Sequence, residues 1–254
     1  MSEPRSAPFY VGYLPTPPGL RTFLLAVSTF LLGGFAALAL AIGTAQDDPG
    51  RGDFQWGWGV QTVTGRLEVR PYPILHVTTG TERVPAGRTL LLSGVGKKGV
   101  QSRVESLDGR VVRLKGIALK RGDIDALQVG DGKDDISAVA DTGTEVAPAK
   151  ALGRWRLIGE ICDGKCLAGA MRPGTGLSHR ACANLCLIGG APPVFVSAAP
   201  VDGSTFLLMG DKDGNPLPAR ILDHVALFVS LEGTVERRGR ILVLKVDLNS
   251  LKVL

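Results

Sequence analysis

The longest apolar run of the chain lies near its N-terminus, where no charged residue occurs between Arg21 and Asp47. As an α-helix, residues 22–45 would rise about 36 Å, enough to cross a hydrocarbon core of roughly 30 Å. The run therefore predicts a transmembrane helix at 22–45, preceded by an extended tail at 1–21. A cleaved signal peptide is the alternative, because Gly43-Thr44-Ala45 resembles a small-residue cleavage site. The run exceeds the usual apolar segment of a signal peptide, about 7–15 residues, which favours an uncleaved anchor.

The charges that flank this run favour one orientation in the membrane. Arg5 and Arg21 precede it, whereas only Arg51 follows it closely, and basic residues concentrate on the cytoplasmic side. We therefore expect a single-pass protein of a bacterial inner membrane, with a cytoplasmic tail and a periplasmic C-terminal body. Trp56 and Trp58 come next and are predicted to lie at the membrane interface. Packing of these rings against the first strand is the alternative.

Beyond the apolar run, short stretches alternate apolar and polar residues, as at 111–117 and 225–235, and Gly-containing turns separate them. The 34 Gly and 16 Pro also argue against a helical bundle. An internal repeat organises these strands: Leu91-Leu92-Ser93-Gly94 aligns with Leu207-Leu208-Met209-Gly210, and Leu114-Lys115-Gly116 aligns with Leu231-Glu232-Gly233.

Each repeat has about five short strands with a helical segment after the third, which describes an OB-type barrel. The predicted fold class is therefore mainly β, with two tandem OB-like barrels behind the transmembrane helix. The first barrel spans 54–130 and the second 151–254, with a linker rich in Asp, Gly, Ala and Thr at 131–150. A generic small β-sandwich is the alternative for each unit, because sequence does not give strand order.

All four cysteines fall in a loop-helix insertion at 162–190 that only the second repeat carries. The turn signal Asp163-Gly164 places Cys162 and Cys166 on a tight turn at the end of a strand. A helix of about ten residues is predicted between Ser178, as N-cap, and Gly189. The spacing of His179, Cys182 and Cys186 puts these side chains on one helix face, towards the turn.

Three chemistries fit this arrangement. Two disulfides could join turn and helix, each pairing Cys162 or Cys166 with Cys182 or Cys186; the even count favours this in an oxidising compartment. A metal site could use four thiolates, or three thiolates and His179, around zinc, copper or an iron–sulfur cluster. A redox-active or partner-facing thiol pair is the third alternative, although the spacing departs from Cys-x-x-Cys.

The second repeat resembles a group of poorly characterised bacterial membrane-anchored or secreted OB-like domains. The resemblance covers about 100 residues, from Arg154 to the C-terminus, and implies no settled activity. The matching residues are Gly159-Glu160, Cys162, Cys166, Gly169, His179-Arg180-Ala181-Cys182-Ala183, Cys186, Gly189-Gly190 and Pro192-Pro193.

Composition narrows the function classes. The net charge is only +5 and aromatic residues make up 6%; because nucleic-acid-binding barrels combine a basic groove with aromatic stacking platforms, no nucleic acid is expected. A nucleic-acid-binding cytoplasmic domain would also need the opposite membrane topology. Ser178 and His179 are neighbours that face different directions on a helix, and no other catalytic set is evident, so we do not expect an enzyme.

The sequence therefore predicts a non-enzymatic binding, assembly or accessory subunit of a membrane complex. Its partners would be a membrane protein and, through residues 22–45, the bilayer. The alternative is a metal-handling or electron-transfer protein that uses the four cysteines and His179; outside that alternative no cofactor is expected.

Overall fold

The computed structural model describes residues 16–45, 50–141, 143 and 146–254 of the chain. Most of the predicted tail, residues 1–15, lies outside this range. Residues 1–48 and 49–254 form two separate compact units, which are described here one at a time.

The first unit is a single helix, α1 (Pro18–Ala45). It begins at Pro18 rather than at residue 22, because proline suits the first turn of a helix, where no backbone N–H is needed. Arg21 is also tolerated there, and its Nε donates to the Thr16 carbonyl at 3.2 Å. The segment Pro18–Gly43 is long and apolar enough to cross a membrane, and none of its most apolar stretch is buried.

The second unit starts with a seven-stranded sheet. Neighbouring strands are antiparallel except β4 and β6, which pair in parallel, and β5 pairs with β6 as well as with β1, β2 and β7. The elements are β1 (Asp53–Phe54), β2 (Gln61–Glu68), β3 (Ile74–Thr79), β4 (Thr89–Ser93), α2 (Gln101–Val104), β5 (Val111–Arg121), β6 (Ile124–Val129) and β7 (Ile136–Ala138). The sheet order is β1-β5-β2-β3-β4-β6, so β2, β3, β4, β6 and β5 form a ring of pairings.

The C-terminal half forms a closed five-stranded barrel in the order β10-β12-β11-β8-β9. Its strands are β8 (Lys150–Asp163), β9 (Pro193–Val201), β10 (Ser204–Asp211), β11 (Phe228–Arg238) and β12 (Ile241–Val253). Again one pair, β10 with β12, is parallel. The alternation along β11 explains the barrel wall: Val229, Leu231 and Val235 are buried in the core, while Glu232 and Thr234 face outwards.

We call strands β1–β7 the first β region and strands β8–β12 the second. A shared apolar core joins these two regions. It contains Leu91, Leu119 and Ile124 from the first region, and Phe206, Leu208 and Val243 from the second, together with Leu167 and Ala168 of the insertion. Arg238 adds a polar connection, because its guanidinium pairs with Glu68 and donates to the Arg70 carbonyl at 2.6 Å. The two regions therefore pack against each other as one unit and are not independent domains separated by a linker.

The predicted linker at 131–150 is partly regular structure. Strand β7 lies inside it and extends the first sheet, and β8 already begins at Lys150. Residues 142, 144 and 145 lie outside the described range. The pairing of β7 was missed because three residues are too few to show an alternating pattern.

The predicted helix of the insertion is present as α3 (Arg180–Ile188). The expectation that Ser178 is its N-cap was wrong. A 3₁₀ turn, Leu177–His179, precedes the helix, and His179 occupies the cap position without a side-chain cap bond. Ser178 is inside that turn, so its hydroxyl is one residue too early to cap α3.

The two tryptophans predicted at the membrane interface lie on a 3₁₀ turn, Trp56–Trp58. Trp56 is 62% exposed and stacks on Phe54, with ring centroids 4.9 Å apart. Trp58 is partly buried against the apolar core of the first β region. Packing therefore accounts for Trp58, and the interfacial role of Trp56 stays a prediction.

Candidate functional site

Three of the four cysteines converge where the end of β8 meets α3. The Sγ of Cys166 lies 4.0 Å from the Sγ of Cys182 and 3.8 Å from that of Cys186. Cys166 and Cys186 are buried, and Cys182 is half-buried. All four cysteines are free thiols. The two expected disulfides are absent from the structure, because an S–S bond requires sulfur atoms about 2.05 Å apart.

Cys162 stands apart from these three residues. Its Sγ donates to Oε1 of Glu160 at 3.2 Å, and the same oxygen accepts the backbone N–H of Gly176 at 2.6 Å. Burial raises the pKa of the Cys162 thiol far above its usual range, and the Glu160 carboxylate adds to this effect. Cys162 is therefore a neutral thiol that serves as a hydrogen-bond donor inside β8.

A buried carboxylate organises the other side of the cluster. Asp163 is fully buried, and its Oδ1 accepts the backbone N–H of Cys166 at 2.8 Å. Its Oδ2 lies 3.0 Å from Nε2 of His179, which is also buried. When Nε2 donates to this carboxylate, Nδ1 of the neutral ring carries the lone pair. Asp163 thus fixes both the Cys166 turn and the orientation of the imidazole.

The ligand atoms of these residues form two overlapping groups. Within each group all atoms lie within 4.8 Å of one another: Cys166 with His179 and Cys182, and Cys166 with Asp163 and Cys186. Among the described residues, these are the groups whose spacing would suit a metal ion.

The first β region contributes a cation to the cluster. Lys97 lies in the loop at 94–99 that follows β4, and its Nζ is 2.7 Å from the Sγ of Cys182 and 3.8 Å from that of Cys186. The hydrogen bond to Cys182 raises the pKa of Lys97. The hydrogen bond between Cys166 and Cys186 lowers the pKa of Cys186 to about 7, and the same hydrogen bond, together with burial, raises the pKa of Cys166. The cluster therefore favours thiolate character at Cys186.

A second lysine holds the 94–99 loop in place. Lys165 is buried, and its Nζ donates to the carbonyls of Gly94 at 2.6 Å and Gly96 at 2.5 Å. Burial lowers the pKa of this ammonium. The loop also donates from the Gly99 N–H to the Gly189 carbonyl at 2.8 Å. A Cβ at Gly189 would lie 1.7 Å from the Lys97 carbonyl oxygen, so this close approach requires glycine.

Strand β1 also contacts the insertion. Asp53 pairs with Arg172 at 3.0 Å, and a Cβ at Gly169 would lie 2.1 Å from the backbone nitrogen of Asp53. Arg121 of β5 donates to the carbonyls of Leu167 and Pro173, both at 3.4 Å. The insertion is therefore clamped between two parts of the first β region.

Two sulfur separations, from Cys166 to Cys182 and from Cys166 to Cys186, match the spacing of thiolates on a single metal ion. With metal–sulfur bonds of about 2.3 Å, tetrahedral geometry places two thiolates about 3.8 Å apart. Three thiolates and one imidazole form a donor set that Zn²⁺ binds and that also suits Cu⁺. Iron–sulfur clusters of the common types use four cysteines, and only Cys166, Cys182 and Cys186 converge here.

Comparisons with protein-family models, with curated proteins and with solved structures found no match to this chain. The resemblance of the second repeat to membrane-anchored OB-like domains therefore stays a prediction. So does the absence of enzymatic activity.

Sequence reasoning missed Asp163, Lys165 and Lys97 as parts of the site. In the sequence Asp163 has only a turn signal, and Lys97 lies in a Gly-rich loop, where a lysine is ordinarily solvated. The contacts of Lys97 and Lys165 each join positions about 70 or more residues apart. A pattern among neighbouring residues in the sequence does not indicate such a long-range contact. For Asp163, its place three residues before Cys166 was the available signal.

Proposed function

We propose that this chain is a membrane-tethered protein that binds one thiophilic metal ion, Zn²⁺ or Cu⁺. Cys166, Cys182, Cys186 and His179 would supply the ligands. The observation that carries this proposal is that the Sγ atoms of Cys182 and Cys186 lie 4.0 and 3.8 Å from the Sγ of Cys166, close to an imidazole that a buried carboxylate orients. A carboxylate on the second nitrogen of a ligating histidine is a common arrangement at metal sites.

Metal handling, rather than a purely structural role, fits the exposure of the ligands. Cys166, Cys186 and His179 are buried, whereas Cys182 is half-buried at the surface. One ligand at the surface lets a donor group from another molecule reach the ion, so that ligands can be exchanged. The periplasm of a bacterial inner membrane remains the location that we propose, with the body attached through residues 22–45.

The scaffold that we propose consists of two tandem OB-like barrels. In support of this fold, each β region has one parallel strand pair, β4 with β6 and β10 with β12. In each region the strand pairings also close into a ring of five strands. The helical segments follow the third strand of the first ring and the third strand of the second. This order agrees with an OB-type barrel.

A role as an accessory subunit of a membrane complex is the second candidate function. It is favoured by α1, whose apolar side chains are exposed along its length, so a bilayer or a membrane partner would have to cover them. The two functions are compatible, since a metal-handling module can be held beside its membrane partner.

The test is native mass spectrometry of the full chain in detergent, first metal-free and then with Zn²⁺ or with Cu⁺ kept reduced under anaerobic conditions. We expect one ion per chain, retained through desalting and removed by a strong chelator. A metal-free mass lower by four hydrogens, with no thiol available for alkylation, would show two disulfides and overturn the proposal. Failure of both ions to bind the fully reduced chain would overturn it as well.

The Asp163→Asn variant should bind Zn²⁺ about 10–100-fold more weakly than the parent chain, since the support of a ligating histidine typically has this effect. An amide retains the oxygen that accepts the Cys166 N–H but lacks the charge that orients the His179 ring. Affinity would be measured by competition with a chromophoric chelator. Asp223→Asn, an exposed carboxylate in the same β region, is the matched control and should bind like the parent. Equal affinity of Asp163→Asn and the control would show that His179 needs no such support.

A further inference from the structure

Helix α3 and the turn before it present an apolar line to solvent. Leu177, Ala181, Leu185 and Ile188 are spaced four, four and three residues apart, so they share one face. Leu177 is 66%, Leu185 55% and Ile188 68% exposed. The face of a surface helix that points away from the core is ordinarily polar. We name these four residues the outer stripe.

Lysines lie next to the outer stripe. The loop at 94–99 packs against the C-terminal end of α3 through the Gly99–Gly189 hydrogen bond. Its tip exposes Val95, Lys97 and Lys98. Because the Lys97 ammonium contacts Cys182, the exposed Lys98 is the lysine of this loop that would meet anionic headgroups. An apolar strip with a lysine at its end is a pattern of surfaces that lie in a membrane interface.

The chain also enters the body on the side of the insertion. Gly50 is the first described residue of the second unit, and its carbonyl accepts Nε of Arg121 at 3.2 Å. The same guanidinium donates to Leu167 in the insertion. Gly50 is therefore held beside the segment that carries the cysteines.

We infer that the outer stripe docks onto the surface of an anionic lipid bilayer. This inference rests on the membrane attachment in the proposed function, and it does not depend on the metal. Three large side chains are far fewer than the roughly 20–30 residues per side of a stable protein–protein interface. They suffice for a bilayer, because a covalent anchor keeps the lipid at a high effective concentration.

Lipid contact is measured with the full chain in nanodiscs that contain brominated lipids, which quench nearby tryptophan. Leu185→Trp places a reporter on the outer stripe, and Asp213→Trp places a matched one in the exposed turn that follows β10. The signal of the native tryptophans is subtracted with the parent chain. We expect the reporter at 185 to lose at least about half its fluorescence in discs rich in brominated phosphatidylglycerol, and the reporter at 213 to lose much less.

Two results would overturn the inference: no quenching at position 185, or equal quenching at 185 and 213. Equal quenching in phosphatidylglycerol and in phosphatidylcholine discs would overturn the contribution of Lys98. A separate variant keeps this test independent of the metal site. In anionic discs, docking of the outer stripe should slow the alkylation of Cys182, which is half-buried on the same helix. Leu185→Glu should remove this protection, while the detergent-solubilised chain still binds Zn²⁺ as the parent does. If Zn²⁺ binding failed in the parent but quenching persisted, only the metal proposal would fall.

Discussion

Replacing Cys166, Cys182 or Cys186 by serine is expected to weaken Zn²⁺ binding by roughly two to three orders of magnitude, whereas Cys162→Ser should leave it unchanged. A structural zinc site of four ligands is worth about 10–16 kcal/mol, so one ligand accounts for about 3–4 kcal/mol. The Sγ atoms of Cys182 and Cys186 both contact the Sγ of Cys166. Cys162 instead donates to Glu160, and this hydrogen bond survives in serine.

The four variants form a matched series, because each replaces one sulfur atom by oxygen in the same insertion. Affinity is measured by chelator competition, and the absorption of bound Co²⁺ reports how many thiolates contact the ion. We expect three thiolates in the parent and in Cys162→Ser, and two in each of the others. A loss of affinity in Cys162→Ser as large as in Cys166→Ser would instead indicate a four-thiolate site. Circular dichroism of each metal-free variant checks that the fold is intact.

Local patterns were sufficient for the elements of the insertion. The spacing of Cys182 and Cys186 placed them on one face of a helix, and that face does look towards the β8 turn. The apolar run at 22–45 likewise predicted α1, with an error only at its start. In both cases the information lies within a few helical turns, where side-chain periodicity determines which residues are neighbours.

The spacing of the cysteines did not predict that Cys162 lies apart from the other three. Strand alternation carries part of the reason: Glu160 and Cys162 are two residues apart in β8 and therefore share one face. The turn signal Asp163-Gly164 instead predicts that β8 ends beside Cys162, and strand alternation does not apply to residues in a turn. The structure extends β8 to Asp163, which directs Cys162 towards Glu160 and leaves Cys166 for the cluster.

The contribution of the first β region to the site had no sequence signal. Lys97 reaches the cluster only because β4 is held beside the second barrel by the shared apolar core. A lysine in a Gly-rich loop is ordinarily a solvated charge. Its role depends on the packing of the two β regions against each other, which no residue pattern within either region indicates.

Lys165→Met is expected to lower the free energy of unfolding of the body by about 2–4 kcal/mol, because it leaves buried carbonyls without a donor. The Lys165 ammonium donates to both Gly94 and Gly96 and is buried between the two β regions. Methionine retains most of the aliphatic volume but supplies no donor. Urea denaturation of the reduced, metal-free chain in detergent, followed by tryptophan fluorescence, measures the change.

Lys98→Met is the matched control, since it removes an exposed ammonium from the same loop, and its effect should be within about 0.5 kcal/mol. An equal effect of the two substitutions would show that the hydrogen bonds of Lys165 do not hold the loop. A large effect of Lys165→Met alone has a consequence for the metal site as well. Because the same loop carries Lys97 to Cys182, loss of the Lys165 hydrogen bonds removes the cation from the thiolates, and the integrity of the site depends on both β regions.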